Sequence, residues 1–277
     1  MSSPDARRRL IENARYELIP LKSLHDHIPH LPAGCSVSVT CSPTKGIEPT
    51  LELAAELNGA GHHAVPHIAA RLVEGRPHVE KIAARLNEHA ISEIFVVGGD
   101  PDPVGPYSDG LSLMRDLLPL CHTVRIVGTP SYPDHHTVIP DAVLDEALLA
   151  KQSLIAELGF EGFTSTQMCF DVKKIEEWIV RQRDSGLTLP IHLGVPGAVD
   201  RARLLSLGTR LGIGSSLRYL RKNSGAILRM FSPKSYDPNK LITPLSRRAD
   251  ELNIDGLHVF TFNSIESTAE WQRKSLA

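Results

Sequence analysis

Residues 15–22 read Arg15-Tyr16-Glu17-Leu18-Ile19-Pro20-Leu21-Lys22, an apolar run with one carboxylate in its middle. Side chains alternate along an extended segment, which groups Glu17 with the aliphatic Ile19 and Leu21 on one face. A carboxylate among aliphatic side chains must be paired, hydrogen-bonded or partly protonated. An exposed glutamate on an edge strand is the equally weighted alternative, because glutamate is rarely buried without a partner. The rest of the chain has to decide between the two.

Seven further strand-like runs follow, and amphipathic helical patterns separate them. The eight predicted strands cover residues 16–20, 36–41, 64–69, 93–98, 124–128, 162–170, 190–195 and 257–262. Helical spacing of apolar residues is clearest at 49–57, 78–86 and 141–158. Near-continuous apolar strands that alternate with helices indicate a parallel sheet covered by those helices.

Eight such units in 277 residues predict a closed (β/α)8 TIM barrel that forms a single α/β domain over residues 1–277. A region at about 212–239, rich in Gly, Ser, Pro and aromatic residues, is predicted to be an inserted helix with loops on the active face. An open doubly wound sheet is the alternative. It would carry a G-x-G-x-x-G turn after an early strand, and Gly46, Gly59 and Gly61 do not form one.

Composition favours a small-molecule protein in a reducing compartment. The formal net charge is −2 and the pI about 6.7, so no basic surface for nucleic acid is expected. Four scattered cysteines without C-x-x-C and an N-terminus without an apolar core predict a cytoplasmic location. No apolar run is long enough to cross a bilayer, so no membrane partner is expected. The oligomeric state is left open.

Polar residues recur where the predicted strands end, which is where a TIM barrel builds its active site. These residues are Glu17, Thr40, His67, Asp100, Tyr132, His135, His136, Gln167 and Asn263. Taken singly, most have a structural explanation, such as strand propensity for Thr40 or turn formation for Asp100. Gln167 is the hardest to explain in this way, because a buried amide needs partners for both of its polar groups. Recognition of a heterocycle edge and a hydrogen bond to a neighbouring strand explain it equally well.

Metal sites and common catalytic motifs are not indicated. Histidines cluster at 25–30 and 135–136, without H-E-x-x-H or cysteine–histidine spacing. A P-loop and a G-x-S-x-G elbow are missing as well. We therefore predict no metal.

Seven segments resemble, in order, the motifs of methylenetetrahydrofolate reductases. Residues 16–22 resemble F-E-F-F-P-P-[KR], 37–40 V-S-V-T, 65–68 A-P-H-L, 97–100 L-R-G-D, 132–136 Y-P-E-x-H, 166–171 T-Q-x-F-F-D and 257–263 F-H-F-Y-T-L-N. No single segment is specific for the family. Together they span nearly the whole chain in the family's order.

The resemblance implies a barrel that reduces 5,10-methylenetetrahydrofolate to 5-methyltetrahydrofolate with NADH or NADPH, normally through FAD. Glu17 then falls on the general acid, Asp100 on the aspartate that faces the pterin, and Gln167 on the glutamine that contacts folate and nicotinamide. Asn263 is assigned to substrate. The cofactor positions that the resemblance implies are Thr40, His67, Gly99, Tyr132, His136 and Lys151.

Three departures from the family affect the expected cofactor and folate sites, two of them the FAD site. Gly98 replaces the arginine of R-G-D, the family's basic helix pair is reduced to Lys151, and Ser264 replaces an arginine near folate. Each lost cation removes a charge-assisted hydrogen bond of roughly 1.5–3 kcal/mol. We therefore interpret the chain as a divergent, flavin-independent reductase without an appended regulatory domain. The alternatives are a tetrahydrofolate-dependent methyltransferase or demethylase and a non-catalytic folate-binding protein.

Overall fold

The computed structural model describes residues 3–200, 203–204, 206 and 236–277. Eight parallel strands pair in chain order, and the first pairs with the last to close a barrel. The strands are β1 (Arg15–Leu18), β2 (Ser36–Val39), β3 (His63–Ala69), β4 (Glu93–Val97), β5 (Ile126–Ser131), β6 (Glu161–Thr166), β7 (Ile191–Pro196) and β8 (Ile254–Phe260). The predicted TIM barrel is confirmed, and its closure excludes the open doubly wound sheet.

Helices alternate with these strands on the outside of the barrel. In the described part of the chain they are α1 (Ser3–Glu12), α2 (Glu48–Gly59), α3 (Arg76–Glu88), α4 (Gly110–Leu117), α5 (Asp141–Glu157), α6 (Val172–Asp184), α7 (Asn239–Ser246) and α8 (Ile265–Leu276). Local sequence explains several starts. The carboxylate of Asp171 caps α6 by accepting from the backbone N–H groups of Lys173 and Lys174, and Asp109 caps α4 in the same way.

The structure corrects the predicted end of the sixth strand. The sixth strand ends at Thr166, four residues before its predicted end. It ends there because the Oε1 atom of Gln167 accepts from the N–H of Met168 at 2.7 Å, which takes that donor out of the sheet. For the predicted insertion at 212–239, residues 212–235 lie outside the described residues.

The half of the barrel interior nearer the amino ends of the strands contains aromatic rings and one buried ion pair. Phe95 and Phe163 lie 5.9 Å apart between ring centroids. A Cβ on Gly128 would come within 2.3 Å of the Phe163 ring, so only glycine fits between them. Arg15 and Glu93, at the first positions of β1 and β4, form an ion pair at 2.5 Å with both side chains nearly enclosed. The polar side chains of the other half of the interior therefore lie near the carboxyl ends of the strands.

Two further expectations can be compared with the structure. Cys35, Cys41, Cys121 and Cys169 are all free thiols, as their spacing predicted. Among the described helices, none combines the length and the apolar character that crossing a bilayer requires.

Candidate functional site

Glu17 and His258 meet inside the barrel mouth. β1 pairs with β8 so that Glu17 lies beside Phe260 and Arg15 lies beside His258. The side chains of Glu17 and His258 both point into the barrel and meet there. The Oε2 atom of Glu17 lies 2.8 Å from Nε2 of His258, and the two side chains are 12% and 3% exposed. Glu17 is therefore nearly enclosed and paired, as one of the two interpretations of its segment required, and its partner is an imidazole that closure of the barrel brings from the last strand. The edge-strand alternative is excluded, since a closed barrel has no edge.

His67 lies on the same level, two strands from Glu17. Its Nε2 atom is 2.5 Å from the Oγ atom of Ser38, and its ring centroid is 4.7 Å from that of Phe95 and 6.0 Å from that of His258. Burial holds the pKa of His67 well below its usual value, and electrostatic interactions with His258 and Arg15 lower it further. His67 is therefore a neutral imidazole at physiological pH.

A second group of polar side chains lies across the mouth, after β4 and β5. The rings of Tyr132 and His136 meet edge to face at 5.1 Å. Burial, and then the nearby carboxylate of Asp100, raise the pKa of Tyr132 to about 12. Burial lowers the pKa of His136, the charge of Asp100 opposes that shift, and the charge of Arg71 adds to it. The structure thus brings Asp100, Tyr132 and His136 together, and adds Arg71, which the sequence had not indicated.

Gly99 sets the direction of the chain just before Asp100. Its φ is +95°, in the left-handed region that favours glycine. A Cβ at this position would lie 3.4 Å from that of Ala69, so the backbone conformation rather than the available space favours glycine here. The cofactor position implied for Gly99 stays a prediction, and its geometric role is to aim the loop that carries Asp100.

Gln167, Thr40 and Asn263 all bond to the backbone at the rim. Gln167 follows β6 rather than lying within it, and its N–H donates to the carbonyl of Ser131 at 2.7 Å. Because its Oε1 accepts from Met168, its Nε2 is the part of the amide left to reach a ligand. The N–H of Thr40 donates to the carbonyl of Leu18 at 2.9 Å.

The amide of Asn263 braces the ends of β8 and β1. Its Oδ1 accepts from the N–H of Ile19 and its Nδ2 donates to the carbonyl of Ile19, both at 2.9 Å. The residue is 6% exposed and has a φ of +60°, which asparagine tolerates. Its contacts are therefore structural, and the substrate contact stays a prediction.

The side chain of Lys151, on α5, has little free space around it. It lines a cavity of about 30 Å³ together with Tyr132, Trp178 and Arg181. Space of this size holds about one water molecule. Burial lowers the pKa of Lys151, and the carboxylate of Asp109 opposes the shift. A larger cavity of about 460 Å³ lies outside the barrel, between α1 and α8.

Sequence reasoning missed His258 and Ser38 as site residues. His258 lies in the segment 257–263, which resembles a motif of the family, but no role followed from that resemblance. Residues that face the interior alternate along each strand, so a histidine two positions from Gly256 and Phe260 in an otherwise apolar run was the available signal. Ser38 carried no comparable signal, because serine also suits a rim position.

Comparisons with known proteins support the resemblance over part of the chain. No family model matches. Methylenetetrahydrofolate reductase 1 of Schizosaccharomyces pombe is 25% identical over 124 residues, which cover 42% of this chain and 20% of that protein. The chain thus matches about a fifth of the length of this curated relative.

Two solved structures share the fold. One is an uncharacterized protein from Clostridium thermocellum that binds two copies of 5-methyl-5,6,7,8-tetrahydrofolic acid, with a TM-score of 0.64, 13% identity and 97% of both chains covered. The other is 2,3-dimethylmalate lyase, a member of the PEP mutase/isocitrate lyase superfamily, with a TM-score of 0.50 and 10% identity over 99% of this chain and 86% of that one. At these identities the likeness is one of fold.

Proposed function

We propose that this chain binds a reduced folate in the barrel mouth and reduces 5,10-methylenetetrahydrofolate to 5-methyltetrahydrofolate with NADH or NADPH. The observation that carries the proposal is the Glu17 carboxyl group, held at 2.8 Å by His258 near the carboxyl ends of the strands. The partial match to a methylenetetrahydrofolate reductase supports the reaction class. The folate bound by the Clostridium thermocellum protein supports the substrate class.

Glu17 acts in the proposed reaction as the proton donor. Its proton passes to a nitrogen of the five-membered imidazolidine ring, the C–N bond at the methylene carbon breaks, and the bonding electron pair stays on that nitrogen. The other nitrogen and the methylene carbon become an iminium ion. Hydride from the reduced nicotinamide then adds to this carbon and leaves a methyl group. The sum is one nicotinamide oxidised, one folate reduced and one proton consumed.

The surrounding residues orient this chemistry. A hydrogen bond to His258 fixes the direction of the Glu17 carboxyl group, so its proton points to one place in the mouth. Asp100, near Tyr132 and His136, offers a carboxylate to the polar edge of a pterin, and Gln167 offers its Nε2. Hydride transfer depends mostly on orientation and electrostatics, which such contacts supply.

Arg203 supplies a cation near the position where the family has one and this chain has Ser264. Its guanidinium donates to the carbonyl of Phe262 at 2.7 Å and to the Oγ atom of Ser264 at 3.2 Å. An exposed guanidinium at the end of β8 is suited to a carboxylate of the folate tail. We therefore assign Arg203 to substrate binding within the proposal.

A tight flavin site is not part of the proposed function. The one lysine retained from the family's basic pair lines a cavity of about 30 Å³. Gly98 has no side chain to contact an isoalloxazine ring. These residues do not fit a flavin pyrophosphate, which supports direct transfer of hydride from nicotinamide to folate.

Isotope transfer tests the proposal. The purified protein is incubated with 5,10-methylenetetrahydrofolate and nicotinamide cofactor that carries deuterium at C4, in separate NADH and NADPH arms and with both faces labelled. We expect one deuterium in the methyl group of the product and no stoichiometric flavin in the protein. No product with either nicotinamide would contradict the reductase. Binding of 5-methyltetrahydrofolate without turnover would indicate a folate-binding protein, and methyl transfer to an added acceptor would indicate a transferase.

A further inference from the structure

We propose that Glu17, His67 and His258 together bind a divalent first-row transition-metal ion, with Zn²⁺ as the type case. Each side chain offers one ligand atom, and the three atoms all lie within 4.8 Å of one another. The three residues come from β1, β3 and β8, so no spacing along the chain announces the cluster. This inference does not rest on the proposed reductase activity, although it uses the same carboxylate.

The donor set fits a transition metal better than an alkaline-earth ion. Two imidazoles and one carboxylate are the protein ligands of several three-ligand zinc sites, and also of the facial triad that holds non-haem Fe²⁺. Mg²⁺ and Ca²⁺ prefer sites built from oxygen alone.

The distances require only side-chain adjustment. Metal–ligand bonds of about 2.1 Å place tetrahedral ligand atoms about 3.4 Å apart. The Glu17–His258 contact, at 2.8 Å, would open slightly. Ligand atoms at the 4.8 Å limit would close by about 1.4 Å, which small rotations about side-chain bonds can provide.

Serine hydroxyl groups orient both imidazoles from outside the cluster. Ser38 Oγ lies 2.5 Å from Nε2 of His67, so a metal bound while this hydrogen bond is kept would be held by Nδ1 of that ring. Ser165 Oγ lies 3.4 Å from Nδ1 of His258, whose Nε2 faces Glu17. A hydrogen bond to the second ring nitrogen is the usual support of a metal-binding histidine. Such support on both rings distinguishes this cluster from the exposed pair of His25 and Glu56.

Occupation of the site has two chemical consequences. Three protein ligands leave at least one coordination position for water or for a donor atom of a bound molecule. A metal ion on Glu17 also removes this carboxyl group from proton donation. Zn²⁺ would therefore inhibit a reductase that uses Glu17, whereas binding itself is measured without any turnover.

Calorimetry on the full chain tests the site. The protein is stripped with a chelator, dialysed, and titrated with Zn²⁺, with Fe²⁺ under anaerobic conditions, and with Mg²⁺. We expect one Zn²⁺ per chain and no saturable Mg²⁺ binding, and Co²⁺ should give a visible ligand-field absorption band. His67→Gln and His258→Gln should each weaken Zn²⁺ binding by at least about a hundredfold, and Ser38→Ala, which keeps every ligand, by about tenfold.

Matched histidine variants decide where the metal binds. His25→Gln removes an exposed histidine, and His192→Gln removes an inward-facing one from the layer below; neither should change Zn²⁺ affinity. Thermal midpoints show whether each variant is folded. If a variant of a ligand residue does not fold, the Zn²⁺ affinity of Ser38→Ala provides the test instead. Absence of stoichiometric Zn²⁺ binding would overturn the proposal. Unchanged affinity in folded His67→Gln and Ser38→Ala, or loss of affinity in His25→Gln, would overturn it as well. The metal titrations contain no folate and no nicotinamide, so their outcome is independent of the isotope experiment.

Discussion

Nε2 of His258 lies 2.8 Å from the carboxylate of Glu17, inside a closed barrel and across 241 positions of sequence. The contact joins the first strand to the last, so it exists only when the barrel is closed. It gives the nearly enclosed carboxylate both a partner and a fixed direction. The chemistry proposed for the site depends on both properties.

Replacing His258 tests this orienting role. His258→Gln keeps a polar side chain but removes the imidazole, so the Glu17 carboxyl group is less well aimed. We expect kcat for NAD(P)H oxidation to fall roughly tenfold to a hundredfold. KM for folate should change little, because ground-state binding is not the role assigned to His258. His192→Gln is the control, and equal losses of kcat in both variants would show a general effect on the barrel instead.

Arg203→Ala tests the cation assigned to the folate tail. The guanidinium lies at the end of β8, bonded to Phe262 and Ser264. Loss of one charge-assisted contact should raise KM for 5,10-methylenetetrahydrofolate about tenfold and leave kcat nearly unchanged. Arg8→Ala, which removes an exposed arginine paired with Glu12 on α1, should leave both constants unchanged. An unaltered KM in Arg203→Ala would remove this residue from the binding site.

The ion pair of Arg15 and Glu93 should be the costliest polar pair to break in the barrel interior. Glu93 also accepts from His63, at 2.7 Å, and both members of the pair are less than one-tenth exposed. Glu93→Gln leaves the buried guanidinium without its counter-charge and should lower the free energy of unfolding by about 3–5 kcal/mol. Glu12→Gln on the surface should cost less than about 0.5 kcal/mol. Urea denaturation of both variants compares them, and similar small losses would mean that water reaches Arg15.

Stability should fall as the pH drops, in part because of His192. Burial lowers the pKa of His192 well below its usual value, and electrostatic interactions with Arg15 and His258 lower it further. The folded state keeps this ring neutral, whereas the unfolded chain takes up a proton below about pH 6.5. The contribution of this residue to the free energy of unfolding is therefore complete above that pH. Below it, the contribution falls by up to about 1.4 kcal/mol per pH unit.

Urea midpoints between about pH 7.5 and pH 5 measure the effect. His192→Gln should flatten the fall relative to the wild type, whereas His25→Gln, an exposed control, should keep it. His67 has its pKa shifted in the same direction, so a residual slope is expected in His192→Gln. A wild-type slope in that variant would contradict the assignment.

The fold was predictable because two periodicities alternate eight times along the chain. Alternating and helical spacing identified all eight strands and several helices with errors of a few residues at their ends. The largest error was at the sixth strand, where the side chain of Gln167 captures a backbone donor and ends the ladder. Side-chain to backbone bonds of this kind carry no periodicity, so a pattern cannot reveal them.

The places of several candidate residues near the strand ends were predictable, but which side chains meet there was not. The position of Glu17 inside the first strand followed from its own segment, whereas its neighbours come from β8 and β3. Spacing within a strand says which side chains share a face and nothing about which other strand they meet. The His258 contact and the shared level of His67 needed the register of the closed barrel.

The rate of Glu17→Gln tests the central claim most directly. The chelator-treated variant is compared with the wild type in NADH and NADPH oxidation that depends on 5,10-methylenetetrahydrofolate. Glutamine keeps the size and a hydrogen bond to His258 but has no acidic proton. We predict that kcat falls by about 10²–10⁴-fold, with folate binding retained. Equal kcat in the variant and the wild type would contradict the role of Glu17 as proton donor.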